Sequence, residues 1–153
     1  MKNSLGDIFN IGSIKMNLDG KTKDMVFTEL INGIASSTAE CNPAELLAAI
    51  WRREKKMSTG IGFGIAIPHA FCKGITDVVG AIGISHQGLD YDALDKKPVH
   101  VVFLLGISER MEETHLHILN VVFSLMESDM ITQIQNAKNA EDIHSILSQT
   151  RLA

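Results

Sequence analysis

The sequence predicts an α/β (α+β) fold in which a central mixed β-sheet is flanked by helices on both faces. Two observations carry this. Segments with apolar residues at helical spacing fill the early part and the last third of the chain. Between them lie two short apolar runs, VVGAIGIS (Val78–Ser85) and VHVVFLLGI (Val99–Ile107), each bounded by turn residues. Runs of that length suit strands buried on both faces, and a sheet built from them needs helices to cover it.

Leu5 to Leu18 reads as irregular chain with a short strand near Ile14–Leu18. Lys21–Ala35 is expected as a helix because Met25, Leu30, Ile31 and Ile34 recur at helical spacing. Pro43 can sit in a first helical turn behind Asn42 as cap, so Pro43–Arg53 is a second helix with Leu46, Leu47 and Ile50 on one side. STGIGFGIAIPHAFCKG follows. Gly60, Gly62, Gly64 and Gly74 break any helix there, and Pro68 keeps Ile67 extended, which leaves a short strand at Ile65–Ile67. Gly88–Pro98 is a polar connection between the two apolar runs. Thr114–Met126 is a strongly amphipathic helix, and Ile131–Ala137 and Ala140–Leu147 are two short helices after it.

At 153 residues the chain is expected to be one domain spanning 1–153, and a hydrophobic content of 45% is enough to bury a core. The formal charge is −4 and the basic residues are scattered, which speaks against nucleic acid as a partner. Apolar runs such as Val101–Leu105 are too short for membrane insertion, and the first 18 residues contain no apolar core of a secretory leader. Cys41 and Cys72 form no CxxC pair, so a cytoplasmic, reducing location is expected. Cys72 lies three residues after His69, which permits either a Cys–His nucleophile pair or an inert buried thiol.

The candidate chemistry starts at the glycine-rich stretch. No Gly-Lys-Ser/Thr closes it, and its spacing from Gly60 to Gly64 is GxGxG, so a nucleotide site is poorly supported. Backbone amides at Gly60 and Gly62 could still approach an anion, with the hydroxyls of Ser58 and Thr59 beside them. The alternative is a tight loop between helix and strand. His69 follows Pro68. A neutral imidazole can act as a nucleophile near neutral pH, although a lone histidine can equally be a structural hydrogen-bonder. On a wheel of about 100° per residue, Leu116, Leu119, Val122, Phe123 and Met126 share one sector with His115, while His117 lies opposite. His115 should therefore face the body of the protein, as a satisfied core group or a functional one, and His117 should face water. A metal site at His69, His115 and His117 would need both helix histidines to point the same way, which helical geometry opposes. Arg53 ends the second helix just before the glycine stretch, and a guanidinium can fork two hydrogen bonds onto phosphate oxygens. The run Arg52, Arg53, Lys55 and Lys56 can also be a solvated charged face.

REKKMSTGIGFGIAIPHA (Arg53–Ala70) resembles the active-site signature of the fructose–mannitol type of enzyme IIA of the phosphoenolpyruvate phosphotransferase system. ETHLHIL (Glu113–Leu119) resembles that family's second histidine motif, and LDYDALDKKPVHVVFLL (Leu89–Leu105) extends the similarity over essentially the whole chain. Within the family, STGIG, GIAIPH, the DALD segment and THLH are most similar to the nitrogen-regulatory branch, whose IIA domains stand free. A chain of this length has no room for an attached IIB or IIC domain. The family usually has Gly where Ala70 stands, and often a polar residue where Phe63 stands. Those departures bear on the partner more than on the chemistry.

The resemblance implies a mixed sheet flanked by helices and a phosphoryl acceptor at His69, charged by a histidine-containing phosphocarrier protein. It places the second active-site histidine at His115 and the active-site arginine at Arg53, and no cofactor is implied. Two roles stay open. One is a nitrogen or metabolic switch that binds regulatory target proteins according to its phosphorylation state. The other is a relay to a IIB acceptor cysteine in fructose or mannitol uptake. An inactive binding module fits less well, because Arg53, His69 and His115 are all present. The reading requires Arg53, His69 and His115 to meet around one accessible cavity.

Overall fold

The computed structural model describes residues 2–110 and 112–152. In chain order its elements are α1 (Leu5–Ile8), β1 (Ile14–Lys15), α2 (Lys23–Ser37), α3 (Pro43–Glu54), β2 (Gly60–Gly62), β3 (Ile65–Ala66), β4 (His69–Cys72), β5 (Val78–Leu89), β6 (Val99–Ser108), α4 (Glu112–Ser124), α5 (Met130–Asn136) and α6 (Ala140–Ser148). The two apolar runs are β5 and β6, which pair antiparallel from Val78 opposite Ile107 to Ile84 opposite Val101. They form the centre of a six-stranded mixed sheet. β1 adds parallel outside β5. On the other side of β6, β3 and β4 lie one after the other, both parallel to it, and β2 pairs antiparallel with β3.

Period-two alternation along β6 divides the core. Val101, Phe103, Leu105 and Ile107 face α1, α4, α5 and α6, where they pack with Phe9, Ile118, Val122, Ile134 and Leu147. Val102 and Leu104 face α2 and α3 and pack with Phe27, Ile31, Leu46 and Ile50. Helices on both faces of a mixed sheet are what the strand composition predicts. The helix starts follow from their caps. Thr22 Oγ1 accepts from the Met25 amide at 3.3 Å, and Asn42 Oδ1 accepts from the Glu45 amide at 3.2 Å with Pro43 in the first turn.

Several elements depart from expectation. Leu5–Ile8 is a helical turn rather than irregular chain, because the Asp7 carboxylate accepts the Asn3 and Ser4 amides at 2.8 and 3.1 Å. The first strand covers only Ile14–Lys15, and β3 ends at Ala66. β5 continues to Leu89 through a register shift after Ile84, so the start of the expected Gly88–Pro98 connection is still strand. β2 and β4 appear where only loop was expected.

Candidate functional site

Pro68 shapes the site first. Having no N–H, it interrupts the edge of the sheet between β3 and β4, while its carbonyl still accepts from the Leu105 amide at 2.9 Å. The chain then resumes as β4, with His69 opposite Leu105. Alternation along β4 turns His69 and Phe71 toward the α4 face, where Phe71 packs on that core, and Ala70 and Cys72 toward the α2–α3 face. Among the described residues, β6 is the one strand that pairs with β4, so α3 and α4 can close around its other side. A cavity of about 550 Å³ lies there, lined by Ala49, Arg52, Arg53, Lys56, His69, Ala70, Phe71 and His115.

His69 Nδ1 lies 2.7 Å from the Ile67 carbonyl oxygen. A carbonyl only accepts, so Nδ1 carries the hydrogen and the lone pair of the neutral ring sits on Nε2. Burial holds the His69 proton affinity below the ordinary imidazole value. His115 and Arg53 push the same way, and the Ile67 carbonyl and the Glu54 carboxylate oppose them. The ring is half-buried, so one edge stays accessible from the cavity. His115 stands beside it, with ring centroids 5.2 Å apart and planes tilted by 38°. The edge of Phe71 packs on the same imidazole at 4.7 Å. Arg53 donates through Nη1 to the Met57 carbonyl at 2.8 Å, which anchors one side of the guanidinium and leaves other N–H groups of the fork for a ligand.

Arg53, His69 and His115 are thus brought together. His117 is exposed and meets the carbonyl of Leu152 on the far side of α4, as the wheel predicts for the pair. The wheel is less accurate for the apolar residues. α4 and the 3-10 turn after it bury Ile118, Leu119, Val122 and Leu125, while Leu116 is 63% exposed. The side chains of Glu113 and Thr114 in the second motif lie outside the described residues. Cys72 faces away from His69, and burial raises its thiol above the ordinary value, which leaves it inert rather than paired with the histidine.

The four loop residues expected around the anion do not line the cavity. Thr59 lies furthest from that expectation. It is 3% exposed, and its hydroxyl is held by Glu54 and Tyr91. Ser58 Oγ accepts from the Gly60 amide at 3.1 Å. Gly60 is buried with its backbone against Ala93 and Tyr91, where a Cβ would come within 2.8 Å of Ala93. Gly62 and Gly64 flank Phe63 in a left-handed turn, and the Phe63 amide donates to Asp95 at 3.3 Å. An aspartate already receives that amide, so the turn serves the fold. Ala49, Arg52, Lys56, Ala70 and Phe71 are the cavity residues that the sequence did not place in the site. The available signals were the basic run at the end of α3 and the alternation of HAFC.

Residues 7–150 match the family model described as phosphoenolpyruvate-dependent sugar phosphotransferase system, EIIA 2. The chain is 34% identical over 138 residues to a fructose-specific EIIABC component of Bacillus subtilis, covering 90% of this chain but only 22% of that protein. It is 31% identical over 144 residues to a nitrogen regulatory protein of Pseudomonas aeruginosa, covering 94% of each. Its fold superposes on the crystal structure of the nitrogen regulatory protein IIA-Ntr from Neisseria meningitidis with a TM-score of 0.82 and 26% identity, over 94% of this chain and 98% of that one.

Proposed function

The chain belongs to the EIIA type 2 family of the phosphotransferase system, and from that premise we propose that it accepts a phosphoryl group on Nε2 of His69 from a histidine phosphocarrier protein. The observation that carries this is the Ile67 carbonyl on Nδ1, which leaves the lone pair at Nε2, in a ring that shares its cavity with Arg53 and His115. The Nε2 lone pair attacks the donor phosphohistidine in line. As the new N–P bond forms, the donor N–P bond breaks and its electron pair returns to the donor imidazole. Little covalent work is asked of the protein, so catalysis is positioning and charge stabilisation. Arg53 supports the equatorial oxygens, Arg52 and Lys56 add positive potential, and His115 hydrogen-bonds an oxygen or orients the acceptor ring.

Downstream, the regulatory reading is preferred. The Pseudomonas nitrogen regulatory protein aligns along nearly its whole length, and the Neisseria IIA-Ntr fold matches at a TM-score of 0.82. Phosphorylation adds about two negative charges to a cavity lined by Phe71 and by the basic Arg52, Arg53 and Lys56, enough to change which surface docks there. The second reading, a relay to a IIB cysteine, is favoured by the 34% identity to the fructose-specific EIIABC component.

The test is labelling with phosphoenolpyruvate, the first enzyme of the system and the phosphocarrier. Wild type should gain acid-labile phosphate and His69→Ala none. A labelled His69→Ala protein ends the assignment. Transfer of that label to a fructose or mannitol IIB domain would shift the role from switch to relay.

A further inference from the structure

A buried polar cluster lies at the end of α3, beside the cavity residue Arg53 in the chain, and no step above uses it. Glu54 follows Arg53 at the end of α3, and its side chain is only 1% exposed. A carboxylate is kept that far from water only where it is paired and hydrogen-bonded. Here its oxygens accept from the Thr59 amide at 2.8 Å, the Thr59 hydroxyl at 2.5 Å and the Lys23 ammonium at 3.0 Å. Tyr91 supports them from behind. Its hydroxyl is 2.8 Å from Thr59 Oγ1 and 3.2 Å from Glu54, and Lys23 sits 4.5 Å above its ring. The Thr59 and Tyr91 hydroxyls both donate to Glu54 Oε1, so the two side chains converge on one carboxylate oxygen.

We propose that Glu54 is a positioning residue for the transfer: by tying Thr59 to the end of α3 it fixes the 55–59 loop whose Met57 carbonyl aims the Arg53 guanidinium at His69. This rests on the acceptor reading above. The Glu54–Thr59 bonds close a loop of chain across the end of the helix, with Met57 inside it. The Arg53 to Met57 bond is made within that closed loop. The His69 ring also senses both members, being shifted in opposite directions by Arg53 and Glu54. Lys23, from the start of α2, balances the buried charge, so the carboxylate can hold the loop without a second demand on Arg53.

The experiment is a double-mutant cycle on the rate of phosphorylation by the phosphocarrier, using full-length protein. Glu54→Gln and Thr59→Val should each lower the saturating rate about tenfold. The phosphocarrier concentration for half-maximal rate should not change, and the end-point labelling of His69 should still be complete. Thr59→Ser, which keeps the hydroxyl, should stay within about twofold of wild type. In an Arg53→Ala background, Glu54→Gln should add no more than about twofold. Equal slowing by Glu54→Gln with and without Arg53 overturns the proposal, as does a Glu54→Gln protein at the wild-type rate. If Glu54→Gln does not fold, Thr59→Val and Tyr91→Phe are run in both backgrounds and decide by the same criterion. A wild-type protein that takes no label removes the acceptor reading and this inference with it.

Discussion

His69 has two ring nitrogens, and its neighbours assign them different tasks. Nδ1 is committed to a carbonyl 2.7 Å away, and burial disfavours the charged ring. A depressed proton affinity means that the nucleophile stays neutral as the pH falls through the ordinary imidazole range. The acid limb of the phosphorylation rate should therefore lie below pH 6.5, and a profile falling at or above that pH would contradict the burial argument. The two companions contribute through charge. Arg53→Ala should slow phosphorylation by roughly a hundredfold, the order found for loss of one charge-stabilising donor. His115→Ala should slow it less and still leave His69 fully labelled at completion, as read from labelling time courses. Leu116, next to His115 on α4, is exposed and outside the core, which leaves it available for docking. Leu116→Ser should raise the half-saturating phosphocarrier concentration while changing stability by no more than about 0.5 kcal/mol.

Among the elements, legibility in the sequence followed length and period. α2 announced itself through helical spacing, α3 through its Asn42–Pro43 start and apolar side, and β5 and β6 through apolar runs. β4 did not. Its four residues follow a proline and alternate over too short a span to stand out, yet that alternation is what turns His69 toward His115. α4 shows a second limit. A wheel gives the direction of the apolar side, and it found His115, but the sheet covers only the part of that side centred on Ile118 and Val122. The setting of Thr59 is not legible in the sequence, where its hydroxyl looks free for an anion, because only the fold brings Tyr91 and Glu54 onto it. β5 also supplies a packing test. Gly80 faces Phe9, and an added Cβ would stand 2.5 Å from its ring. Gly80→Ala should cost about 1–3 kcal/mol of stability, measured as a lower denaturant midpoint, because the buried ring has little room to retreat.

At the scale of the whole molecule, the sheet holds α3 and α4 on opposite faces and lets both reach the free side of β4. The cavity therefore joins a basic helix end, a strand-borne histidine and a second histidine from the far face. The protein carries a formal charge of −4, yet Arg52, Arg53 and Lys56 stand together at this cavity, a local reversal suited to a transferring phosphoryl group. The same arrangement serves a switch or a relay, and transfer to a IIB domain separates them. The central claim concerns one nitrogen, and its most direct test is nitrogen-resolved NMR of the phosphorylated protein. The account predicts a phosphoramidate at His69 Nε2 with Nδ1 still protonated. Phosphate on Nδ1, or on any residue other than His69, would contradict it.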